Sequence, residues 1–231
     1  MKTFLATLFF SLCSFIIAQD TEFRKVDYKT IEKEIKNKNS EYYYSTLMDR
    51  FQKMDTTLTK EHMYRLYYGY SFQKNFDVFD IIEHPKKIQE IEQKNSQPNK
   101  TDIETLKKYY TSLYKEKPFV NINSIETLAI IYSLDEDETM VKKLLKMYYT
   151  LIDAILLTGD GKSMENAIDV INARHEYTLI NLFGLKVNEQ ALLNDKGRSY
   201  DLLSSENEDG DKFDVYFDVT RSFEFYSQKF K

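Results

Sequence analysis

Apolar residues recur at intervals of three and four between Tyr28 and about Ile171, and at intervals of two beyond residue 184. The first spacing marks one face of an α-helix and the second a half-buried strand. Tyr44, Leu47, Met48 and Phe51 form one helical stripe after Ser40, a predicted N-cap; Met63, Leu66, Tyr67 and Tyr70 form the next after Thr59. Thr101-x-x-Glu104 reads as a capping box opening a helix that carries Ile103, Leu106, Tyr110 and Leu113 and stops at Pro118. Asn123-x-x-Glu126 opens another with Ile125, Leu128, Ala129 and Tyr132. Asp135-x-x-Glu138 opens a long one that persists to Gly159, and Met164, Ala167, Ile168 and Ile171 begin a last one after Ser163. Residues 83–100, with Pro85, Pro98 and few apolar positions, read as an exposed connection.

In the C-terminal part, Phe213, Val215, Phe217 and Val219 alternate with polar or amphipathic residues, predicting a strand with one buried face. Residues 198–205 supply a partner strand and residues 208–211 the turn between them; residues 185–193 add a third strand that turns back at 194–197. A three-stranded meander needs a surface to pack on. The expectation is therefore an α+β fold: residues 19–184 form repeat-like, tetratricopeptide-like (TPR-like) antiparallel helical hairpins, and residues 185–231 a small antiparallel sheet packed on them as one cooperative unit. The tetratricopeptide signature itself is absent.

The first residues change the picture of where the chain works. Lys2 precedes an uncharged, mostly apolar run over residues 3–17 that ends at the small Ala18, which is the layout of a secretory signal peptide cut between Ala18 and Gln19. The run is too short to span a bilayer as a helix. The expected mature chain is periplasmic or secreted and has no transmembrane segment. Cys13, the single cysteine, falls inside the signal, so the mature protein has no disulfide, no Cys-based zinc site and no cysteine nucleophile. A net charge of -5 without a basic patch argues against a nucleic-acid partner. The chain holds 18 Tyr and 16 Phe but no Trp. Because Tyr44, Tyr67 and Tyr70 already fall on apolar stripes, core packing explains the tyrosine groups better than a sugar-stacking face does.

Two glycine-containing phrases imitate ligand loops. Gly159-Asp160-Gly161-Lys162-Ser163 ends like a phosphate-binding loop, but that pattern requires glycine where Leu156 stands and a preceding strand. Asn207, Asp209 and Gly210 suggest a calcium loop, yet its twelfth position is Tyr216, where a glutamate is needed. A helix end and a hairpin turn account for these glycines. The densest set of reactive side chains is His175-Glu176-Tyr177 near the helix-to-sheet junction, with Asp201, Tyr216 and Asp218 on the adjacent strands. These six are the candidate binding residues. Asp214 and Asp218 lie about 13 Å apart along a strand rising roughly 3.3 Å per residue, too far for a glycosidase pair. The histidines lack H-x-x-x-H or H-E-x-x-H spacing, so no metal site, cofactor or catalytic set is expected.

Leu66-Tyr67-Tyr68-Gly69, Gly159-x-Gly161, His175-Glu176-Tyr177, Gln190 with Tyr200-Asp201, and Tyr216-Phe217-Asp218-Val219-Thr220 occur in an order that resembles an exported, Bacteroides-type bacterial family, domain of unknown function 4919, over about residues 25–225. The resemblance implies a periplasmic or secreted destination and carries no catalytic role onto any residue. The leading expectation is a non-catalytic binding or scaffolding protein of the cell envelope with a protein or peptide partner. The alternatives are a small hydrolase-like enzyme using His175, Glu176 and Asp201, and an envelope glycan binder using exposed tyrosines.

Overall fold

The computed structural model describes residues 23–94 and 96–229; the expected signal segment 1–18 and its cleavage site lie outside them. Among the described residues seven helices precede the sheet: α1 (Tyr28–Lys36), α2 (Tyr44–Gln52), α3 (Lys60–Tyr70), α4 (Lys86–Glu92), α5 (Lys100–Glu116), α6 (Asn123–Leu134) and α7 (Glu138–Ile155). Strand β1 (Ile168–Asp169) and helix α8 (Arg174–Leu182) follow, then β2 (Lys186–Asp195), β3 (Arg198–Glu206), β4 (Lys212–Asp218) and a closing helix, α9 (Thr220–Lys229). The protein is α+β. No helix among the described residues is long and apolar enough to cross a membrane.

Helix α3 is the axis of the helical part. Met63, Tyr64 and every residue from Leu66 to Tyr70 are buried, so it is covered on nearly all sides, as a helix apolar around most of its circumference must be. Helices α1, α2 and α7 pack on it; α6 lies between α7 and α5. Gly69 on α3 permits this closeness, because a Cβ there would sit 3.2 Å from the Ile35 side chain of α1. Buried tyrosines fill the interior and some send their hydroxyls to backbone: Tyr114 donates to the Phe51 carbonyl (2.5 Å) while its ring stacks on Phe51 at 4.9 Å.

The helix starts show which of several polar residues does the capping. Thr59 caps α3 as expected, in a capping box closed by the His62 side chain. For α5 the cap is Asn99 with Asp102 completing the box, two residues ahead of the expected Thr101 and Glu104. For α7 it is Asp137 rather than Asp135. Helix α6 begins at Asn123 but has no side-chain cap, and α2 begins at Tyr44, past Ser40, whose hydroxyl serves the preceding turn. Residues 83–100 are more than a connection, since α4 buries Ile88 and Ile91.

The four strands run in the order β1-β4-β3-β2. The expected antiparallel meander is present as β2–β3–β4, with a short parallel strand, β1, added beside β4. Ile168 and Ile171 thus lie in and just after a strand, where a helix was expected. The chain cannot continue helically there because it doubles back: a Cβ on Gly159 would lie 2.1 Å from the Asn166 carbonyl oxygen. Gly161, at φ +73°, donates its amide to that same carbonyl (2.8 Å) and accepts the Tyr216 amide of β4 (2.8 Å). Gly161 thus spends both its backbone groups within the chain, tying this loop to the sheet. Likewise Asn207 Oδ1 accepts the amides of Asp209 (3.1 Å) and Asp211 (2.8 Å), which makes the acidic segment a hairpin turn.

Candidate functional site

Side chains alternate across a strand, and this parity divides the expected cluster. Asp201 pairs across to Phe217, so it shares that residue's inward face, whereas Asp218 pairs with Tyr200 on the opposite face. His175 goes to neither. The six candidates therefore occupy three separate environments.

His175 belongs to the core. It is fully buried, with Nε2 donating to the Phe119 carbonyl (3.1 Å) and Nδ1 facing the Tyr67 hydroxyl (2.7 Å). A carbonyl can only accept, so Nε2 carries the proton and Nδ1 accepts from Tyr67, whose oxygen in turn accepts the Ile171 amide (3.3 Å). Every polar atom is used and the ring is neutral. Burial, aided by the nearby Arg174 charge, pushes its pKa down to about 3. A histidine held this way joins α3, α8 and the loop before α6; it is not a general base, and the hydrolase reading loses its central residue.

Glu176, Tyr177 and Asp201 do converge, together with Gln190. The first turn of α8 lays Glu176 over β3, and its carboxyl is fully buried. No donor reaches either of its oxygens. Its polar neighbour is the Asp201 carboxyl, with which it can hydrogen-bond only when one of the two is protonated. Burial first, and then the Asp201 charge, raise the Glu176 pKa to about 9, so the pair holds a proton through the neutral range. Burial raises Asp201 as well. Above the pair lies a polar strap: Tyr177 donates to Gln190 Oε1 (2.7 Å), and Gln190 Nε2 donates to Asp201 Oδ2 (2.9 Å). Tyr177 and Gln190 are exposed.

Asp218 meets partners that the sequence did not single out. Arg198 Nε donates to Asp218 Oδ2 (2.6 Å), and its Nη2 lies 3.6 Å from Asp169 Oδ2. Tyr28 of α1 donates to Asp169 Oδ1 (2.7 Å), and Tyr68 of α3 to the Asp169 carbonyl (2.8 Å). Burial and the Asp218 charge raise Asp169 to about 7, against the pull of Tyr28 and Arg198. Asp169 was missed although it carries a readable signal, a lone acid within the apolar run 167–171. Tyr216 is only half-buried on this face and takes no part in either acid pair. Among the described residues no group of His, Cys, Asp or Glu is arranged to hold a metal ion.

Surface hollows lie away from both acid pairs. One of about 350 Å³ is bounded by Asn188, Glu189, Ser204, Lys212 and Asp214. Another of about 530 Å³ lies along residues 74–83 and includes Ile81, which is 64% exposed. Tyr67, Tyr68 and Tyr70 are buried, so they offer no stacking row for a sugar.

The structure thus defines an α+β protein whose mixed sheet carries one buried acid pair on each face. The chain belongs to the family described as Domain of unknown function (DUF4919), whose model matches residues 29–228. No curated protein and no solved structure matches it.

Proposed function

We propose that this is an exported, non-catalytic binding protein of the bacterial cell envelope, and that it binds an extended segment of a partner along the free edge of β2 beside α8. One observation carries the reading. β2 is ten residues long, stands at the end of the sheet, and has no strand on its outer side among the described residues. A free edge presents a row of unpaired N–H and C=O groups, the template for strand addition. Natural edges are usually guarded by charge and irregularity, and both are present at the ends of β2: Lys186 and a bulge between Val187 and Glu189 at one, Asp195 at the other. Its middle, residues 190–194, carries no charge, and Leu192 there is 48% exposed. The helices offer less for this purpose, since they close around α3.

Export is supported by the segment before Gln19. Sequencing the N-terminus of protein recovered from the periplasmic or culture fraction tests it, and an uncut Met1 in the cytoplasm refutes it. Binding is tested by hydrogen exchange with short alternating peptides. Outward amides of residues 190–194 gain protection if a strand adds there. Protection appearing elsewhere, or nowhere, removes the reading.

A further inference from the structure

The buried Glu176–Asp201 pair lacks what buried acids ordinarily have, a cation. The titratable groups facing it are Tyr177 and Tyr67, and no lysine or arginine among the described residues pairs with either acid. The other acid pair, Asp169 with Asp218, has Arg198. The contrast is specific to the site: one pair is closed by a guanidinium from the chain itself, while the other is closed by a proton and a strap of two exposed side chains.

We propose that the Glu176–Asp201 pair is the recognition site for a basic side chain, lysine or arginine, carried by the extended segment that adds to β2. This rests on the docking reading above and names what the partner must contain. Gln190 and Leu192 of β2 lie on the same sheet face as Asp201, with Leu192 directly across from it. A residue of an added strand opposite Leu192 begins two strand spacings, about 10 Å, from Asp201. A lysine or arginine side chain covers that span, with its methylene stem lying over exposed Leu192 and its charged head on the Asp201 carboxylate. Gln190, whose amide holds Asp201, and Tyr177, which holds Gln190, are exposed side chains that rotate aside to admit the cation. Once the cation is seated, the shared proton is no longer favoured. It leaves Glu176 for solvent, the ammonium or guanidinium keeps its own protons, and two carboxylates face one cation.

Proton release separates this from strand addition alone. The probes are acetyl-Thr-Val-Thr-Lys-Thr-Val-Thr-amide and the same peptide with norleucine for lysine, titrated into the purified protein by calorimetry at pH 7.5 in two buffers of different ionisation enthalpy. The lysine peptide is expected to bind at least about tenfold more tightly, the factor that 1.4 kcal/mol represents. It should release up to one proton, and its affinity should rise with pH. Glu176→Gln should abolish the release, and Asp201→Asn should abolish the preference for lysine. Equal binding of both peptides without proton release overturns the cation site and leaves the β2 edge reading standing. Binding of neither overturns both.

Discussion

Glu176→Gln should make the protein more stable at neutral and alkaline pH, and less sensitive to pH. The folded state raises the Glu176 pKa from its usual 4.5 to about 9, so between those values the folded chain holds a proton that the unfolded chain has released. Fewer protons bound in the unfolded state means stability falls as pH rises, by about 1.4 kcal/mol per unit. The loss reaches about 3 kcal/mol at pH 7 and about 6 kcal/mol above pH 9, with sharing between Glu176 and Asp201 lowering both figures. Glutamine has the shape of the protonated acid, donates to Asp201 and does not titrate. Urea unfolding followed by circular dichroism at pH 4, 6, 7.5 and 8.5 should show parent and variant within about 1 kcal/mol at the acid end, with the variant ahead by about 2–3 kcal/mol at pH 7.5. Asp169 adds its own decline with rising pH, but equally in both proteins, so the difference isolates Glu176. Parallel curves would refute the buried proton.

His175 works with the opposite sign. Its pKa is held near 3, below the usual 6.5, so stability present above pH 6.5 is lost as pH falls, by about 1.4 kcal/mol per unit; His175→Gln should flatten that limb in the same urea series. His175→Ala also strands the Phe119 carbonyl and the Tyr67 hydroxyl and should cost about 3–5 kcal/mol. Arg198→Met leaves Asp169 and Asp218 buried without their cation and should cost about 3 kcal/mol, read from the urea midpoint. Gly159→Ala drives a Cβ against two backbone carbonyls and should lower the melting temperature sharply, whereas Gly210→Ala, with open space but φ +84°, should cost only about 1 kcal/mol.

Long-period features were legible in the chain and short or non-local ones were not. Helix α7 and the β2–β3–β4 meander follow from spacing because each repeats its period several times. Strand β1 has two residues, too few to display a period, and the Met164, Ala167, Ile168 spacing imitates a helix. Its pairing with β4 joins residues about fifty positions apart, a contact no local pattern encodes. Caps slipped by two residues at α5 and α7 because neighbouring Asn, Asp and Thr side chains are chemically equivalent caps, and burial of the helix face decides among them. For the site, the structure brings Glu176, Tyr177 and Asp201 together and places His175 and Asp218 elsewhere. His175 and Glu176 are adjacent on α8, yet one turns into the core and the other to the sheet. Asp201 and Asp218 were grouped by strand proximity, and strand parity separated them.

The strand order has a further consequence, for the sequence in which the molecule can be completed. β4 is the last strand to be synthesised, yet it lies in the interior of the sheet, with β1 on one side and β3 on the other. During synthesis, β1 and the β2–β3 hairpin must wait with open flanks until residues 212–218 arrive between them. A chain cut short before Lys212 therefore loses the middle of its sheet rather than a margin, and Asp169 is left facing Tyr28 with neither Asp218 nor the register that brings Arg198 to it. Loss of residues 212–218 should be felt at both acid pairs, whereas a peptide joined outside β2 extends the sheet on the Glu176–Asp201 side and leaves Asp169 and Asp218 as they are.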